Sequence, residues 1–260
     1  MKKALITGAN KGIGFEVAKQ LLQKGYYVYL GSRDLNNGKE AVEKLKNEGL
    51  KNVELLEIDV TNQDSVNSAR IELGKKTQVL DVLINNAGIN GIEFKDGKPV
   101  MHTATETGVD IYKKVFEVNV YGVIRVTQAF LDLLRKSSAP RIVNVSSSQG
   151  SLTLHSDPNF IHYNFKGSVY QSSKSALNMY TIVLAYELKD LPFKVNAVSP
   201  GSTKTDFNHN LGQGSVVDAG NRIVKYAIIG EDGPTGKFFS EDMNTDNGEI
   251  PWQKITKFMR

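Results

Sequence analysis

Short apolar runs alternate with amphipathic segments along most of the sequence. The apolar runs have the composition of strands buried on both faces, and the amphipathic segments have the spacing of helices. Such alternation is typical of a parallel sheet with helices on both faces. We therefore predict an α/β fold with a doubly wound, mostly parallel sheet of about seven strands. Strands are predicted at residues 3–7, 26–30, 53–58, 82–84, 141–145 and 194–198, and helices at 13–23, 38–47, near 65–74, 115–136 and 168–188.

The length and composition limit the other predictions. The chain has 260 residues without an evident repeat or linker, so we predict one domain over residues 1–260. It contains no cysteine, and its histidines lack the spacing of metal ligands and are expected in loops or at the surface. No apolar run approaches the ~20 residues of a membrane span. These features predict a cytoplasmic protein with neither a metal site nor a membrane partner.

The charge pattern gives no indication of nucleic-acid binding. The net charge is +4, from 32 basic and 28 acidic residues. The basic residues are scattered rather than collected in one block, and they are not interleaved with aromatic side chains. We predict a small-molecule ligand instead, for which a few of these cations suffice.

A glycine-rich turn, TGANKGIG, follows the first predicted strand and precedes the first predicted helix. Its three glycines have the spacing G-x-x-x-G-x-G. Glycines allow a tight turn and a close approach to a pyrophosphate, whose charge faces the helix N-terminus. The turn therefore predicts a dinucleotide site that includes Gly8, Asn10, Lys11, Gly12, Ile13 and Gly14.

Residues after the next three strands indicate which dinucleotide binds. Arg33, together with Lys11, is placed to accommodate a 2′-phosphate, which favours NADPH or NADP. Asp34 leaves NAD open, because an acidic residue at this position binds an unphosphorylated ribose. Asp59 and Val60 are predicted to flank the adenine, although an aspartate also commonly starts a turn. The small residues of NNAG would let the cofactor ribose approach the backbone, which adds Asn86, Ala87 and Gly88 to the site.

A tyrosine and a lysine four residues apart are the main catalytic candidates. Tyr170 and Lys174, within YQSSK, share one face of a predicted helix. The lysine charge favours the phenolate and is expected to lower the pKa of Tyr170 from its usual ~10. The same spacing also occurs on solvated helix faces, so a catalytic role for the pair is indicated only in combination with the other motifs.

Taken together, the motifs resemble those of the short-chain dehydrogenase/reductase family. They are TGANKGIG, NNAG, NVYG at residues 119–122, IVNVSS at 142–147, YQSSK, and PGSTKTD at 200–206, and they follow the family's order over nearly the whole chain. LGSRD at 30–34 and GPTGKFFSE at 233–241 are similar to the monomeric carbonyl reductase branch. The resemblance implies a nicotinamide-dependent oxidoreductase with the Rossmann-type fold predicted above.

The resemblance also implies a role for each catalytic candidate. Tyr170 would protonate the carbonyl oxygen, and Ser147 would hydrogen-bond the same oxygen. Lys174 would bind the nicotinamide ribose and lower the pKa of Tyr170. Asn119 would lie in a distorted helix turn and hold a water molecule that links Lys174 to solvent. The implied cofactor site is completed by Tyr170, Lys174, Pro200, Gly201, Thr203 and Thr205, although a proline-glycine turn after a strand is also common.

Ser147 is one of three consecutive serines. Strand alternation places Ser146 and Ser148 on the face opposite Ser147, and the family pattern selects Ser147. The interval from Ser147 to Tyr170 is longer than in most family members. Such an insertion is typical of the carbonyl reductase branch, where it covers the surface that other members use to form tetramers. A monomer is therefore expected here, with a dimer as the alternative.

The implied activity is NADPH-dependent reduction of a ketone or aldehyde to an alcohol. NAD-dependent oxidation of a secondary alcohol is an alternative. A dinucleotide-binding sensor without turnover is another, but such a protein would be expected to lack one of Tyr170, Lys174 or Ser147. Segments 88–108 and 149–167 are predicted to be irregular, and the part from residue 201 is rich in Gly, Asn and Asp. Loops 91–100, 152–167 and 207–217 are expected to determine the substrate, which the sequence does not identify.

Overall fold

A parallel sheet forms the centre of the computed structural model, which describes residues 1–95, 98–100 and 102–252. Residues 96, 97, 101 and 253–260 of the predicted domain lie outside this part. The strands are β1 (Lys3–Ile6), β2 (Tyr27–Ser32), β3 (Val53–Glu57), β4 (Val82–Asn85), β5 (Glu93–Lys95), β6 (Lys98–Val100), β7 (Arg141–Val145), β8 (Lys194–Val198) and β9 (Phe238–Phe239). The sheet has seven strands, the predicted number, in the order β3-β2-β1-β4-β7-β8-β9, and β5 pairs with β6 separately.

Helices cover both faces of the sheet. They are α1 (Gly12–Gln23), α2 (Leu35–Asn47), α3 (Gln63–Lys76), α4 (Val109–Phe116), α5 (Gly122–Leu134), α6 (Leu152–His155), α7 (Ser168–Glu187) and α8 (Val216–Ala227). Successive residues of β1 supply two separate cores. Ala4 and Ile6 pack in the core that contains buried residues of α1, α2 and α8. Leu5 packs on the opposite face, in the core that contains buried residues of α3, α5 and α7.

The strand order reverses direction beside β1. This strand pairs with β2 on one side and with β4 on the other, in both cases in parallel. The chain therefore leaves the carboxyl ends of β1 and β4 toward opposite sides, and a crevice opens between the two connections. The glycine-rich turn follows β1 and the NNAG motif follows β4, so the fold brings both predicted cofactor motifs to this crevice.

Several elements differ from the prediction. The long helix predicted at 115–136 consists of α4, a π-helical turn and α5. The segments predicted to be irregular contain the β5–β6 pair, a 3₁₀ turn and the short helix α6. Helix α8 and strand β9 were not predicted. Gly220 lies inside α8, where a Cβ atom would come within 2.9 Å of Cγ of Glu16, so close packing on α1 explains a glycine that weakens the local helix signal.

The described residues contain neither a membrane-spanning helix nor a cluster of metal ligands. None of the helices in that part of the chain is both long and apolar enough to cross a membrane. Within the same residues, no three His, Asp or Glu side chains come together as metal ligands. The cytoplasmic location and the monomeric state stay predictions from the sequence.

Candidate active site

The glycine-rich turn has the backbone that its sequence predicts. Gly8 and Gly12 have φ values of +62° and +59°, which favour glycine. A Cβ atom at Gly14 would lie 2.6 Å from the carbonyl oxygen of Gly8 and would also contact the side chain of Asn86. Helix α1 begins directly after Lys11, and no side chain caps its first turn. Its first amide groups are therefore available to an anion such as a pyrophosphate.

The turn is fixed to the connection after β4 by four hydrogen bonds. The hydroxyl oxygen of Thr7 accepts from the backbone nitrogens of Asn86 and Ala87, at 3.0 and 3.1 Å. The side-chain amide of Asn86 donates to the carbonyl oxygens of Thr7 and Gly8, at 2.9 and 3.0 Å. The Asn86 side chain thus joins the connection after β4 to the glycine-rich turn. Thr7 was not predicted, although it is the first residue of the TGANKGIG motif.

Arg33 is the cation that the structure leaves available at the end of β2. Its side chain is exposed and has no hydrogen bond or ion pair within the described residues. The neighbouring Asp34 carboxylate caps α2 by accepting from the backbone nitrogen of Asn37 at 2.9 Å. Lys11 Nζ lies 2.9 Å from Oδ2 of Asp206, and both side chains are about two-thirds exposed. A solvated pair of this kind is weak, so an anionic ligand can compete for Lys11.

The residues predicted near the adenine have mixed roles. Oδ1 of Asp59 accepts from the backbone nitrogen and the hydroxyl of Thr61, at 2.9 and 2.7 Å. Asp59 therefore starts a turn, which was the alternative to adenine binding in the sequence analysis. Val60 is buried and would contact a Cβ atom at Gly122. The adenine contact stays a prediction.

Three catalytic candidates meet at the start of α7. The phenol of Tyr170, which is half-buried, shares a hydrogen bond with the side chain of Ser147. Lys174 lies one helical turn further on, with its Nζ 5.6 Å from the centre of the Tyr170 ring. The same Nζ donates to the carbonyl oxygen of Val145 at 2.8 Å, at the carboxyl end of β7. The hydrogen bond to β7 thus keeps the Lys174 ammonium close to the Tyr170 ring.

The three consecutive serines have different environments. Ser146 donates to Oδ1 of Asn178 at 2.6 Å and is buried. Ser148 is also buried, and its backbone nitrogen donates to the hydroxyl of Ser199 at 3.3 Å. Ser147 is half-buried and accepts from the backbone nitrogen of Gln149 at 3.2 Å. Ser147 shares a hydrogen bond with Tyr170, and its catalytic role stays a prediction.

Burial controls the protonation of the pair. It raises the pKa of Tyr170 to about 12, and the hydrogen bond with Ser147 opposes this rise. It lowers the pKa of Lys174 to about 8. The sequence predicted a lowered phenol pKa from the lysine charge, but in this site the cost of desolvating the phenolate is larger. A phenol with this pKa is neutral throughout the physiological range of pH and can therefore donate a proton.

Asn119 lies in the π-helical turn Glu117–Tyr121 and is fully buried. Its Nδ2 donates to the carbonyl oxygen of Ile89 at 2.8 Å and to the hydroxyl of Ser173 at 3.0 Å. A Cβ atom at Gly88 would lie 3.3 Å from Oδ1 of Asn119 and 3.8 Å from Nζ of Lys174. Glycine therefore leaves the space between these two polar atoms open, where the family resemblance implies a water molecule.

The segment after β8 faces the same crevice. Gly201 has φ of +84°, and Arg222 donates to the carbonyl oxygen of Pro200 at 2.7 Å. The hydroxyl of Thr203 donates to the carbonyl oxygen of Gly201 at 3.2 Å. Thr205 forms a capping box with Asn208 at the next turn. Both hydroxyls thus have partners within the segment. The methyl carbon Cγ2 of Thr205 lies 3.8 Å from the position that a Cβ atom would take at Gly12, so the segment borders the glycine-rich turn.

Three residues near the site were not among the predicted site residues, although Phe207 begins the loop 207–217 that was expected to determine the substrate. The Phe207 ring lies 5.8 Å from the Tyr170 ring, at an angle of 61°. The side chain of Asn90 donates to the carbonyl oxygen of Phe207. His102 was expected in a loop or at the surface; it lies in a loop but is only 9% exposed, and its Nε2 lies 2.5 Å from the carbonyl oxygen of Gly91. No motif of the sequence marks these residues, because their contacts join separate loops.

Known proteins share both the sequence and the architecture of this chain. The family model of the short chain dehydrogenases matches residues 2–215. Salutaridine reductase of Papaver bracteatum is 36% identical, with 92% of this chain and 94% of that protein covered. (+)-Neomenthol dehydrogenase of Arabidopsis thaliana is 37% identical, with coverages of 91% and 95%. The structure of NADPH-bound carbonyl reductase from chicken fatty liver superposes with a TM-score of 0.77 at 25% identity, covering 94% of this chain and 97% of that one.

Proposed function

Because this chain belongs to the short-chain dehydrogenase/reductase family, whose members bind a nicotinamide dinucleotide, we propose that it reduces a ketone or aldehyde with NADPH. The observation that carries the proposal is the group formed by Ser147, Tyr170 and Lys174 at the carboxyl edge of the sheet, beside the glycine-rich turn. Relatives named as a reductase and as a dehydrogenase agree with this chemistry.

The side chains divide the work of the reduction. A bound reduced nicotinamide would supply the hydride to the carbonyl carbon. The neutral phenol of Tyr170 donates its proton to the carbonyl oxygen, and the Ser147 hydroxyl hydrogen-bonds the same oxygen and orients the substrate. The charge of Lys174 then stabilises the phenolate that Tyr170 becomes. A water molecule beside Gly88, between Asn119 and Lys174, as the family resemblance implies, would relay a proton from solvent and restore Tyr170.

The glycine-rich turn and Arg33 fit the cofactor of the proposal. The uncapped first turn of α1 suits a pyrophosphate. The exposed guanidinium of Arg33 suits a 2′-phosphate, whereas the Asp34 carboxylate is committed to capping α2. The exposed Arg33 and the engaged Asp34 support NADPH over NADH as the cofactor.

Arg33→Asp is expected to weaken NADPH binding strongly and NADH binding little. A hydrogen-bonded pair of opposite charges contributes ~1.5–3 kcal/mol, so the unmodified protein should prefer NADPH by roughly ten- to a hundredfold. The measurement is the dissociation constant of each cofactor, by titration of cofactor fluorescence at low and high salt. Arg135→Asp is the matched control, because Arg135 follows α5 at the opposite edge of the sheet. Equal constants for both cofactors in the unmodified protein would refute the NADPH assignment.

A panel assay tests the reductase proposal itself. Purified protein and NADPH are incubated with ketones, aldehydes, quinones and steroids, and the loss of NADPH absorbance is compared with the alcohol formed. We expect at least one class to be reduced with one alcohol formed per NADPH consumed. A protein that binds NADPH but reduces no member of the panel would favour the sensor alternative.

A further inference from the structure

The connection after β4 is held in place residue by residue. The backbone nitrogen of Ile89 donates to Oδ1 of Asn119 at 2.9 Å, and its carbonyl oxygen accepts from the same side chain. The carbonyl oxygen of Gly91 accepts from His102, whose own carbonyl oxygen accepts from the backbone nitrogen and the hydroxyl of Ser168 at 2.7 and 2.8 Å. Ser168 is the first residue of α7. The connection is thus tied both to Asn119 and to the helix that carries the catalytic pair.

Asn90 lies between these two anchored residues, and both ends of its side-chain amide are used. Its Oδ1 accepts from the backbone nitrogen of Ile92 at 2.9 Å, which fixes the orientation of the amide. Its Nδ2 therefore faces away from this turn and donates to the carbonyl oxygen of Phe207. This hydrogen bond joins two loops that are far apart in the sequence.

Phe207 belongs to the 205–211 loop, which comprises Thr205–Leu211 and is shaped mainly by its own hydrogen bonds. Thr205 and Asn208 form a capping box, and the backbone nitrogen of Asn210 donates to the carbonyl oxygen of Thr205 at 2.8 Å. His209 and Asn210 have φ values of +53° and +62°, which cost free energy for residues other than glycine. The loop is therefore a formed unit whose position depends on contacts with its neighbours. One is the exposed pair between Asp206 and Lys11, and another is the Asn90 hydrogen bond.

The position of this loop matters because Phe207 touches the proposed general acid. Its ring meets the Tyr170 ring at a centroid distance of 5.8 Å with a tilt of 61°. The Phe207 side chain is nevertheless 41% exposed, so an apolar face remains open beside the phenol. An apolar ring of a substrate can bury this face, and a short-chain carbonyl compound covers much less of it.

We propose that Asn90 is a positioning residue that holds Phe207 against Tyr170, and that Phe207 forms a wall favouring ketones carried on an apolar ring. This inference rests on the proposed reductase function and adds the class of substrate. Asn90 does not touch the reacting atoms in this scheme. It acts through the backbone of Phe207, so its loss moves the wall and leaves the contacts of Ser147 and Lys174 with Tyr170 in place.

Asn90→Asp separates the two halves of the amide. A carboxylate can still accept from Ile92, but it cannot donate to Phe207 and instead repels that carbonyl oxygen. The matched control is Asn67→Asp, which adds the same charge to the exposed surface of α3. Phe207→Ala removes the wall directly, and the double variant tests whether the two residues act together.

The experiment compares KM and kcat for 4-tert-butylcyclohexanone and 2-butanone at saturating NADPH. We expect Asn90→Asp to raise the ratio of the ring ketone's KM to the butanone KM about fivefold, the loss expected of one hydrogen bond. The change should lie mainly in KM, and the control should not change the ratio. Phe207→Ala should raise the ratio at least as much, and Asn90→Asp should add nothing to it in the double variant.

Each other outcome overturns a defined part of the proposal. An unchanged ratio in Asn90→Asp, or additive effects in the double variant, would refute the positioning role. Unmodified protein that reduces 2-butanone with a kcat/KM equal to or above that for the ring ketone would refute the substrate class but leave the reductase function standing. Failure to reduce either ketone, together with the whole carbonyl panel, would remove both.

Discussion

Tyr170→Phe is expected to lower kcat for carbonyl reduction by at least about 100-fold, the lower end of what a positioned general acid contributes. Phenylalanine keeps the ring that packs against Phe207 and removes only the hydroxyl that faces Ser147. The pKa of the phenol is about 12, so nearly all of the unmodified enzyme carries the proton that the variant lacks. Single-turnover reduction with bound NADPH measures the effect on the chemical step.

The dissociation constant of NADPH should stay within about threefold, because one hydroxyl contact contributes little to a large ligand. Tyr180→Phe is the matched control. Tyr180 lies further along the same helix, and its phenol contacts Thr127 rather than Ser147. Removal of the Tyr180 hydroxyl should leave kcat within about twofold, because this group contacts Thr127 and not the proposed site of proton donation. A fall of less than about tenfold in Tyr170→Phe, or ~1.4 kcal/mol of barrier, would show that another group donates the proton.

The bounds of a strand could be predicted where turn-forming residues flank its apolar run. β7 and β8 have the bounds that were predicted, because each apolar run is preceded by proline-containing turn residues. Helix α8 was missed for the opposite reason. Asn and Gly interrupt its apolar spacing, and the helix is formed through its packing against α1, which no local pattern reports.

The site could be predicted where its residues lie together in one sequence motif. The positive φ angles of Gly8 and Gly12, and the lack of room for a Cβ at Gly14, are direct consequences of the turn that the motif specifies. The wall beside Tyr170 is different. Asn90 and Phe207 are 117 residues apart in the chain, and their contact forms because the parallel strands β4 and β8 end at the same edge of the sheet, where the connections that follow them can meet.

The direction of the Tyr170 pKa shift was also beyond the sequence. A spacing of four residues shows that a phenol and an ammonium share a helix face, and the charge alone would lower the phenol pKa. The opposite shift follows from burial, which depends on the sheet and the loops around α7. The same burial lowers the pKa of Lys174 to about 8, which gives the site a second measurable signature.

Lys174→Met is expected to lower kcat/KM by roughly 100-fold or more and to weaken NADPH binding. Methionine keeps the unbranched shape and most of the length of the side chain but removes the charge near the Tyr170 ring and the donor to Val145. The phenolate left by proton donation then has no cation beside it, so the barrier rises. Lys189→Met is the matched control, because Lys189 is exposed just beyond the end of α7 and loses the same charge. Thermal unfolding of all variants checks that the protein stays folded at the assay temperature.

The pH dependence makes this prediction specific to Lys174. An amine is charged below its pKa, so the ammonium fraction falls as the pH rises through about 8. In the unmodified enzyme, kcat/KM for reduction should be level below this pH and fall above it, because free-enzyme ionisations appear in kcat/KM. In Lys174→Met this fall should disappear, and the next alkaline limit is the ionisation of Tyr170, whose pKa is about 12. If the fall near pH 8 persists in the methionine variant, the titrating group is not Lys174, and the lysine does not support the proton donor as proposed.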